Sequence, residues 1–470
     1  MKNRKSFIFT LMITLLIALF CFCGCNSNSS QNGLTIVSII KTQTNGLVDT
    51  YTITYSDGSE YSFEITNGKD GIDGESLDID EIYAKYLENN PSATYEEFLK
   101  DVLEINVTSN TASINKALQS SAKIYTEFTQ TYRVGPMSTT KETAVYLGSA
   151  VVYKVDTDYT YFITNYHVVY NSSATEQNKI AKKVVCYLYG SEGEPSSTNT
   201  KDANGCTIYN YGEYGINCEF VGGSITADIA IVKAKTSDVT AINENVQAIS
   251  FADDYSVGDT AIAIGNPEGE GISVTEGIVS VDNEYIYLAI DGTTRAYRSI
   301  RIDTSIYSGS SGGGLFDING KLIGITNAGD GEDQNVNYAI PLEIVKYAVE
   351  NIMHHGNNAK TITLGIEVNS SNSKYVYNEK KGCGEIVETV TVSKVTSNSI
   401  SEKLGLKAND VLLSFTVNGV EYAINRSFNI GDILLTIRSG DQISFKISRE
   451  SQTQNTTTYT VLSSDLNQVA

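Results

Sequence analysis

Three residues of this sequence could together carry out nucleophilic chemistry, although they lie far apart along the chain. Ser311 lies in the run GSSGGG (residues 309–314), between two segments of strand type. His167 follows the strand-like run YTYFIT, and Asp228 lies in ADIAIVKA. Taken singly, each has an ordinary interpretation as a linker residue, a hydrogen-bonded polar residue or a turn carboxylate. Together they suit one task, because a hydroxyl becomes a nucleophile only beside a base that a third group orients.

The order of these residues along the chain assigns each a role. His167, Asp228 and Ser311 follow one another as in the chymotrypsin-type triad. Ser311 would attack a carbonyl carbon, His167 would act as general base and then acid, and Asp228 would orient His167. An oxyanion hole needs inward N–H groups, and a glycine two residues before the nucleophile permits the tight turn. We therefore predict an oxyanion hole at Gly309, Ser310 and Ser311, with the first and last supplying the N–H groups.

The elements around these residues predict a mainly β fold. Short apolar runs separated by turn residues, such as VYLGSAVVYKV and AIAIG, are typical of an all-β domain. A helical stretch is predicted over residues 111–128, before the first strand. A second helix, PLEIVKYAVENIMHH, is predicted to close the domain near residue 355. The predicted catalytic domain therefore spans residues 111–355.

Three motifs resemble those of a known family. TNYHVV, ADIAIVKA and DTSIYSGSSGGGLFDINGKLIGI are similar to the catalytic motifs of the HtrA (Deg) family of trypsin-fold serine proteases, and the resemblance extends over about residues 113–463. It implies a chymotrypsin/trypsin-like double β-barrel, hydrolysis of unfolded or damaged exported proteins, and a homotrimer. The family's GNSGGP reads GSSGGG here, with Ser310 for Asn and Gly314 for Pro. Loss of the proline widens the backbone options of the loop.

The resemblance also places a specificity pocket. In trypsin-fold enzymes the residue six before the nucleophile lies at the base of the S1 pocket, and here that residue is Ser305. Without an acid at this position, a buried Lys or Arg side chain of a substrate would lack a counter-charge. We therefore expect cleavage after small or medium apolar residues.

Residues 360–463 resemble an HtrA-type PDZ domain. TLGIEV (363–368) resembles a carboxylate-binding loop, in which Leu364, Gly365 and Ile366 would present N–H groups to the C-terminus of a peptide. NIGDILLTIRSGDQISFKISRE resembles the groove helix and final strand, and residues 369–384 form an unusual insert. Such domains bind a peptide as an added strand at a sheet edge. The alternative is a small β domain with a packing role only.

The N-terminus predicts export and a lipid anchor. Residues 1–25 combine basic residues, an apolar run from Phe7 to Phe22, and the sequence FCGC, which resembles a bacterial lipobox with Cys25 as the lipidated residue. An ordinary secretory signal is the alternative. Either way we expect an extracytoplasmic protein. With the anchor, it would lie on the outer face of the cytoplasmic membrane.

Residues 26–110 are predicted to form a small β module with a linker. Alternating runs over 34–66 predict strands, with a hairpin at Asp57-Gly58. A helical face over residues 79–87 and a capping box from Thr94 to Glu97 predict helices. Between them lies a glycine triplet (Gly68, Gly71, Gly74). The module resembles one found in surface lipoproteins of Gram-positive bacteria, and we interpret it as a spacer or wall-proximal adaptor.

Composition excludes some partners. The 470 residues include 34 Lys and Arg against 55 Asp and Glu, a net charge of −21, which argues against nucleic acid. No phosphate loop, metal-ligand set or cofactor motif is present, so no cofactor is predicted. After Cys25 the chain has four cysteines, too few for a disulfide scaffold: Cys186, Cys206, Cys218 and Cys383. A bridge between Cys206 and Cys218 is left open.

Two other functions compete with the protease. The chain could be a catalytically weak chaperone or adaptor that acts through its PDZ groove. The altered GSSGGG loop and the Tyr-rich insert 187–217 keep this alternative open, because a misfolded oxyanion loop would leave the triad idle. A third interpretation is a cell-surface attachment protein that depends on the N-terminal module.

Overall fold

The computed structural model describes residues 36–66, 79–91, 93–95, 97–98, 110–329, 333, 335–379 and 382–468. The chain divides into two units, Met1–Ile105 and Asn106–Ala470. The signal region with Cys25 and the glycine triplet lie outside the described residues, so the predictions made for them stay predictions. Within the described residues, no helix is long and apolar enough to cross a membrane.

The first unit contains a three-stranded antiparallel sheet and a helix: β1 (Ile36–Asn45), β2 (Val48–Tyr55), β3 (Glu60–Thr66) and α1 (Ile79–Asn89). The predicted hairpin is confirmed, because the N–H of Gly58 donates to the carbonyl of Tyr55 at 2.9 Å in the turn between β2 and β3. The capping box is confirmed as well. The N–H of Thr94 donates to Glu97 Oε2 at 2.7 Å, and the N–H of Glu97 donates to Thr94 Oγ1 at 3.2 Å.

The second unit begins with a helix and a closed barrel of six antiparallel strands, in the order β10-β11-β6-β5-β4-β7. A separate two-stranded hairpin, β8-β9, lies in the Tyr-rich insert. The elements are α2 (Asn110–Leu118), β4 (Ser121–Arg133), β5 (Thr139–Val155), β6 (Tyr159–Thr164), α3 (Tyr166–Val169), β7 (Lys183–Leu188), β8 (Ser196–Lys201), β9 (Thr207–Asn210), β10 (Ile216–Ser224), β11 (Ile229–Lys235) and α4 (Thr236–Ile242).

The predicted helix over 111–128 is wrong after Leu118. A strand begins at Ser121 and pairs with β5 on one side and β7 on the other. Its first eight residues are all buried, including Lys123 and Glu127. Burial on both faces removes the alternation of apolar and polar residues that identifies a half-exposed strand. The helical pattern in the sequence therefore extends beyond Leu118, where α2 ends.

A second closed barrel of six strands follows, in the order β12-β13-β14-β17-β16-β15. Its elements are β12 (Thr260–Gly265), β13 (Ser273–Leu288), β14 (Arg295–Ile302), β15 (Gly314–Phe316), β16 (Leu322–Gly329), β17 (Asn337–Pro341) and the closing helix α5 (Leu342–His355). The prediction of this helix is confirmed. Apolar residues of both barrels and of α5 share one core cluster, which includes Val151, Ile325 and Val349. The predicted mainly β, double-barrel fold is confirmed.

The remaining chain forms a β-rich domain with two short helices around its own core. Its elements are β18 (Lys360–Ile362), β19 (Ile366–Asn378), β20 (Cys383–Val395), α6 (Ile400–Leu404), β21 (Val411–Val417), β22 (Val420–Ala423), α7 (Phe428–Leu434), β23 (Gln442–Arg449), β24 (Gln452–Asn455), β25 (Tyr459–Thr460) and β26 (Leu466–Gln468). The unusual insert 369–384 extends the hairpin β19-β20. Because β26 pairs with β18, the domain continues past residue 463.

The C-terminal domain is joined to the second barrel by two reciprocal ion pairs. Arg298 of β14 donates to Asp432 of α7 at 2.9 Å, and Arg426 donates to Asp282 of β13 at 3.1 Å. The ring of Phe428 lies between them, with the two guanidinium carbons 3.9 and 5.0 Å from its centroid. A cation over an aromatic face is itself favourable. The contact therefore orients the domain through both charge and stacking.

The cysteines of the described residues are all free thiols. Cys218 on β10 lies diagonally across from Cys186 on β7, because Cys218 pairs with Val184 in the register of these strands. The hydrogen bond between the thiols of Cys186 and Cys218 raises the pKa of Cys186, and burial raises it further. Cys186 is therefore the thiol that the structure places beside Cys218, and Cys206, whose bridge to Cys218 the sequence left open, is a free thiol.

Candidate active site

The first half of the site is a hydrogen-bonded pair on the first barrel. His167 lies in the single helical turn α3, directly after β6, and Asp228 lies in the turn between β10 and β11. His167 Nδ1 lies 2.7 Å from Asp228 Oδ2, and the backbone N–H of His167 donates to Asp228 Oδ1 at 2.9 Å. The carboxylate is fully buried, while the imidazole is 31% exposed. One carboxylate therefore fixes both the ring and the backbone of the histidine.

The backbone at Asp228 is held in an uncommon conformation. Its φ of +52° lies in the left-handed region, which Asp tolerates better than most residues. Its carbonyl accepts hydrogen bonds from Asn165 Nδ2 at 3.0 Å and from the N–H of Tyr166 at 3.1 Å. These bonds come from the two residues before His167. The same short segment therefore holds both the carboxylate and the imidazole.

Burial and the carboxylate act on His167 in opposite directions. Burial lowers the pKa of His167, but the negative charge of Asp228 and its hydrogen bond together outweigh burial, so the net pKa is raised above 6.5. A carboxylate that favours the imidazolium makes the ring a stronger base. The pair can therefore accept a proton from a nearby hydroxyl.

The nucleophile candidate lies on the second barrel, in the loop before β15. The Ser311 hydroxyl donates to the carbonyl of Asn327 on β16 at 2.9 Å, and its backbone carbonyl accepts from the N–H of Ser149 at 2.8 Å. Within the described residues, no hydrogen bond joins this hydroxyl to His167. Such bonds often form only when substrate is bound. A rotation about χ1 of Ser311 would redirect the hydroxyl.

In the candidate oxyanion loop, the carbonyls of Ser308 and Ser310 accept hydrogen bonds, and these bonds orient the N–H groups that follow. The carbonyl of Ser308 accepts from the N–H of Glu268 at 2.6 Å, and that of Ser310 accepts from Thr326 Oγ1 at 2.6 Å. In a trans peptide the next N–H points away from the carbonyl, so the N–H groups of Gly309 and Ser311 point away from these partners. Neither donates a hydrogen bond within the described part of the chain.

The N–H of Ser310, the middle residue of the predicted oxyanion hole, is engaged elsewhere. Its N–H donates to the carbonyl of Tyr307 at 2.9 Å, so it is committed within the turn. Gly309 adopts a φ of +96°, and a Cβ there would overlap Leu147 Cδ1 and the carbonyl of Asn266. Both the backbone angle and the close approach require glycine. The candidate oxyanion hole is therefore limited to the N–H groups of Gly309 and Ser311.

Ser149 is a site residue that the sequence did not indicate. It lies on β5 of the first barrel and is fully buried. Its hydroxyl donates to the carbonyl of Gly309 and accepts from the N–H of Asn266, each at 2.8 Å. Its own N–H donates to Ser311, and its carbonyl accepts from Thr164 Oγ1, again at 2.8 Å. Ser149 thus joins the first barrel to the loop that carries Ser311, the candidate nucleophile.

The second departure from the family motif has a local explanation. A Cβ at Gly314 would overlap the ring of Phe316 and approach Val151. Gly314 and Phe316 begin and end β15, which pairs with β12 and β16. The phenyl ring therefore occupies the space that a larger residue at 314 would need. The absence of a side chain at Gly314 thus leaves room for the Phe316 ring two positions later.

The predicted S1 residue lies on the segment that leads to the nucleophile. Ser305 is half-buried between β14 and the nucleophile loop, and its carbonyl accepts from Thr275 Oγ1 at 2.9 Å. Asn327, whose carbonyl accepts from Ser311, is almost fully buried, and neither amide atom of its side chain has a partner in the described part of the chain. The role of Ser305 in specificity stays a prediction.

The predicted carboxylate loop lies between β18 and β19. The carbonyl of Leu364 accepts from the N–H of Ser401 at 3.0 Å, and the carbonyl of Gly365 accepts from the N–H of Thr396 at 2.8 Å. The following N–H groups, those of Gly365 and Ile366, therefore point the other way. β19, which begins at Ile366, is the edge strand of its seven-stranded sheet. An edge strand can pair with an added peptide.

Comparisons with known proteins agree with this architecture. The trypsin-like peptidase domain matches residues 148–325, which include the histidine, the aspartate and the serine. Periplasmic serine endoprotease DegP of Escherichia coli (strain K12) is 28% identical over 326 residues, covering 66% of this chain and 58% of that protein. Serine protease Do-like HtrB of Bacillus subtilis (strain 168) is 27% identical over 320 residues, covering 65% and 60%.

A solved structure, HtrA-type protease AlgW with tripeptide, is 25% identical and covers 76% of this chain and 97% of that chain, with a TM-score of 0.48. The two closed barrels and the match to the trypsin-like peptidase domain identify this part of the chain as a trypsin-like peptidase domain. The chain is similar to serine proteases of the HtrA (Deg) type over about two thirds of its length. It spans less than two thirds of the length of the curated relatives given above.

Proposed function

We propose that this protein is a serine endopeptidase. The observation that carries the proposal is the buried carboxylate of Asp228, which bonds both Nδ1 and the backbone N–H of His167. Such a pair can take a proton and stabilise the resulting imidazolium. Ser311 is the hydroxyl that would give up that proton. The free N–H groups of Gly309 and Ser311 would bind the oxyanion.

The proposed reaction has two stages. Ser311 Oγ attacks the peptide carbonyl while His167 takes the hydroxyl proton, and the proton then passes to the leaving amine as the C–N bond breaks. Water next attacks the acyl-enzyme with the same histidine as base, which releases the acid and restores the serine. Asp228 holds the ring of His167 in place throughout.

Labelling with a fluorophosphonate probe tests this proposal. The full chain would be incubated with the probe and unfolded casein, and the adduct would be mapped by mass spectrometry. Casein guards against a resting state that needs substrate to redirect the Ser311 hydroxyl. We expect an adduct on Ser311 that is absent in the His167→Ala variant, together with casein fragments. Folded protein that gives neither adduct nor fragments would contradict the proposal and favour the chaperone or adaptor alternative.

We infer that the C-terminal domain binds the C-termini of peptides. The edge strand β19 and the outward N–H groups of Gly365 and Ile366 support this inference. A peptide with a free C-terminal carboxylate should bind, and the same peptide with a C-terminal amide should bind more weakly, because the N–H groups would lose a charged acceptor. Fluorescence anisotropy of the two labelled peptides measures the difference. Equal affinity would contradict a carboxylate-binding loop.

We further propose that the protein acts outside the cytoplasm on unfolded or damaged exported proteins. The curated relative DegP is named a periplasmic enzyme, which supports an extracytoplasmic location. The proposed anchor is a lipid on Cys25, at the outer face of the cytoplasmic membrane. Growth with a clickable fatty acid should label the native chain and leave the Cys25→Ser variant unlabelled. Native mass spectrometry would test the proposed homotrimer.

A further inference from the structure

The oxyanion loop depends on a second loop, residues 266–272, that follows β12. The N–H of Glu268 in this loop donates to the carbonyl of Ser308 at 2.6 Å. That bond fixes the peptide between Ser308 and Gly309, and with it the direction of the Gly309 N–H. Glu268 itself adopts a φ of +56°, which few side chains other than Asn and Asp adopt readily. The 266–272 loop therefore needs support from its surroundings to hold this donor in place.

That support comes from two sides. Within the loop, Asn266 Oδ1 accepts from the N–H of Gly271 at 3.0 Å. From outside, Glu192 Oε2 accepts from the N–H of Ile272 at 3.0 Å and lies 3.6 Å from Lys123 Nζ. The lysine side chain is 4% exposed and that of Glu192 is 21% exposed. A largely buried ion pair, Lys123 with Glu192, thus contacts the 266–272 loop, which orients the N–H of Gly309.

Glu192 belongs to the Tyr-rich insert 187–217, which is itself firmly attached to the first barrel. The hydroxyl of Tyr187 donates to the carbonyl of Tyr211 at 2.6 Å, and the hydroxyl of Tyr211 donates to Glu127 at 2.9 Å. Burial raises the pKa of Tyr187 to about 12, so its hydroxyl stays protonated and able to donate. The same tyrosines pack with Leu147, the residue that a Cβ at Gly309 would overlap.

We propose that Glu192 is a positioning residue for the oxyanion hole, through Ile272 and Glu268 to the N–H of Gly309. The inference rests on the proposed serine-peptidase function and deepens it. On this account, Glu192 gives the insert that kept a binding-only function open a supporting role in catalysis. Glu192 touches no reacting atom, so its effect should fall on turnover of bound substrate.

Two double variants test the hydrogen bond apart from the ion pair. Lys123→Met/Glu192→Gln and Lys123→Met/Glu192→Ala both lack the charges, but only the first keeps an acceptor for the N–H of Ile272. We expect kcat on a peptide substrate and the rate of fluorophosphonate labelling to be about tenfold lower in the alanine variant, with KM unchanged, since a whole oxyanion donor is worth about 100- to 1,000-fold. The glutamine variant should retain most activity.

The control is Glu194→Gln, which changes an exposed glutamate of the same insert and should leave both rates unchanged. The pKa of His167, followed by NMR, should also be the same in all variants. Equal kcat in the two double variants, or a change in KM alone, would overturn the inference. Hydrogen exchange in the native chain is a second test, because rapid exchange at the Ile272 amide would overturn it too. A native chain that fails to label would instead contradict the proposed peptidase function.

Discussion

The two halves of the candidate site are built by different means. On the first barrel, His167 and Asp228 meet side chain to side chain at 2.7 Å. On the second barrel, the Ser311 loop is shaped by bonds to backbone carbonyls, such as those to Ser308 and Ser310. The first half depends on the identity of its residues. The second half depends on hydrogen bonds to the backbone of the Ser311 loop. Positions that contribute only backbone groups to these bonds can vary more freely.

This difference accounts for the positions at which the chain departs from the HtrA motif GNSGGP. Both departures, Ser310 and Gly314, fall in the half that the backbone determines. Ser310 contributes its carbonyl to Thr326 and its N–H to Tyr307, and any residue except proline could supply both groups. The altered loop therefore keeps the hydrogen bonds that place the Gly309 and Ser311 N–H groups. Four predictions test this contrast.

The largest effect should come from Asp228→Asn. The side-chain NH2 of Asn would donate to His167 Nδ1 and hold the wrong tautomer, so kcat should fall about 10,000-fold with little change in fold. Peptide hydrolysis and circular dichroism measure the two quantities. A loss below tenfold would show that the first half does not act through the carboxylate.

The pH dependence should show the raised pKa of His167. The base must be neutral, so kcat/KM should fall about tenfold per pH unit below a midpoint that lies above 6.5. The same shift stabilises the fold below pH 6.5, and this contribution is lost as pH rises through the folded-state pKa. A His354→Gln/His355→Gln variant, with one histidine left, should keep the same midpoint. A midpoint at or below 6.5 would contradict the prediction.

Ser149→Ala tests the second half. The substitution leaves the carbonyl of Gly309 and the N–H of Asn266 without their buried partner, so we expect a loss of about 2 kcal/mol in unfolding free energy and about tenfold in kcat. Ser299→Ala is the matched control. Ser299 is fully buried, and its hydroxyl has no partner within the described residues, so its removal should be nearly neutral. Similar effects in both variants would contradict a specific role for Ser149.

The smallest effect on activity should come from Gly314→Ala. The added methyl overlaps the Phe316 ring, so overpacking should lower the unfolding free energy by about 1–3 kcal/mol and leave KM unchanged. Phe316→Leu should relieve part of this loss in the double variant. Denaturant titrations of the single and double variants give the coupling energy. Additive effects would show that the two positions are independent.

The three triad residues could be predicted from sequence, but the groups that hold the Ser311 loop in place could not. His167, Asp228 and Ser311 are recognisable because triad chemistry requires those side chains. Ser149 is not, because its hydroxyl acts on a carbonyl 160 positions away, and serine is common in strands. Strand β4 was missed for a related reason, since burial on both faces hides its periodicity. Contacts made through the backbone, or set by tertiary burial, leave no pattern in the sequence.

Ser149 has one more consequence, for the order of events in folding. Its N–H and its hydroxyl bind Ser311, Gly309 and Asn266, which lie across the boundary between the two barrels. A chain with only one barrel formed cannot make these bonds. Proteolytic competence should therefore appear in a single cooperative step with the docking of the barrels. A chain in which only one barrel has formed would therefore lack a complete candidate site.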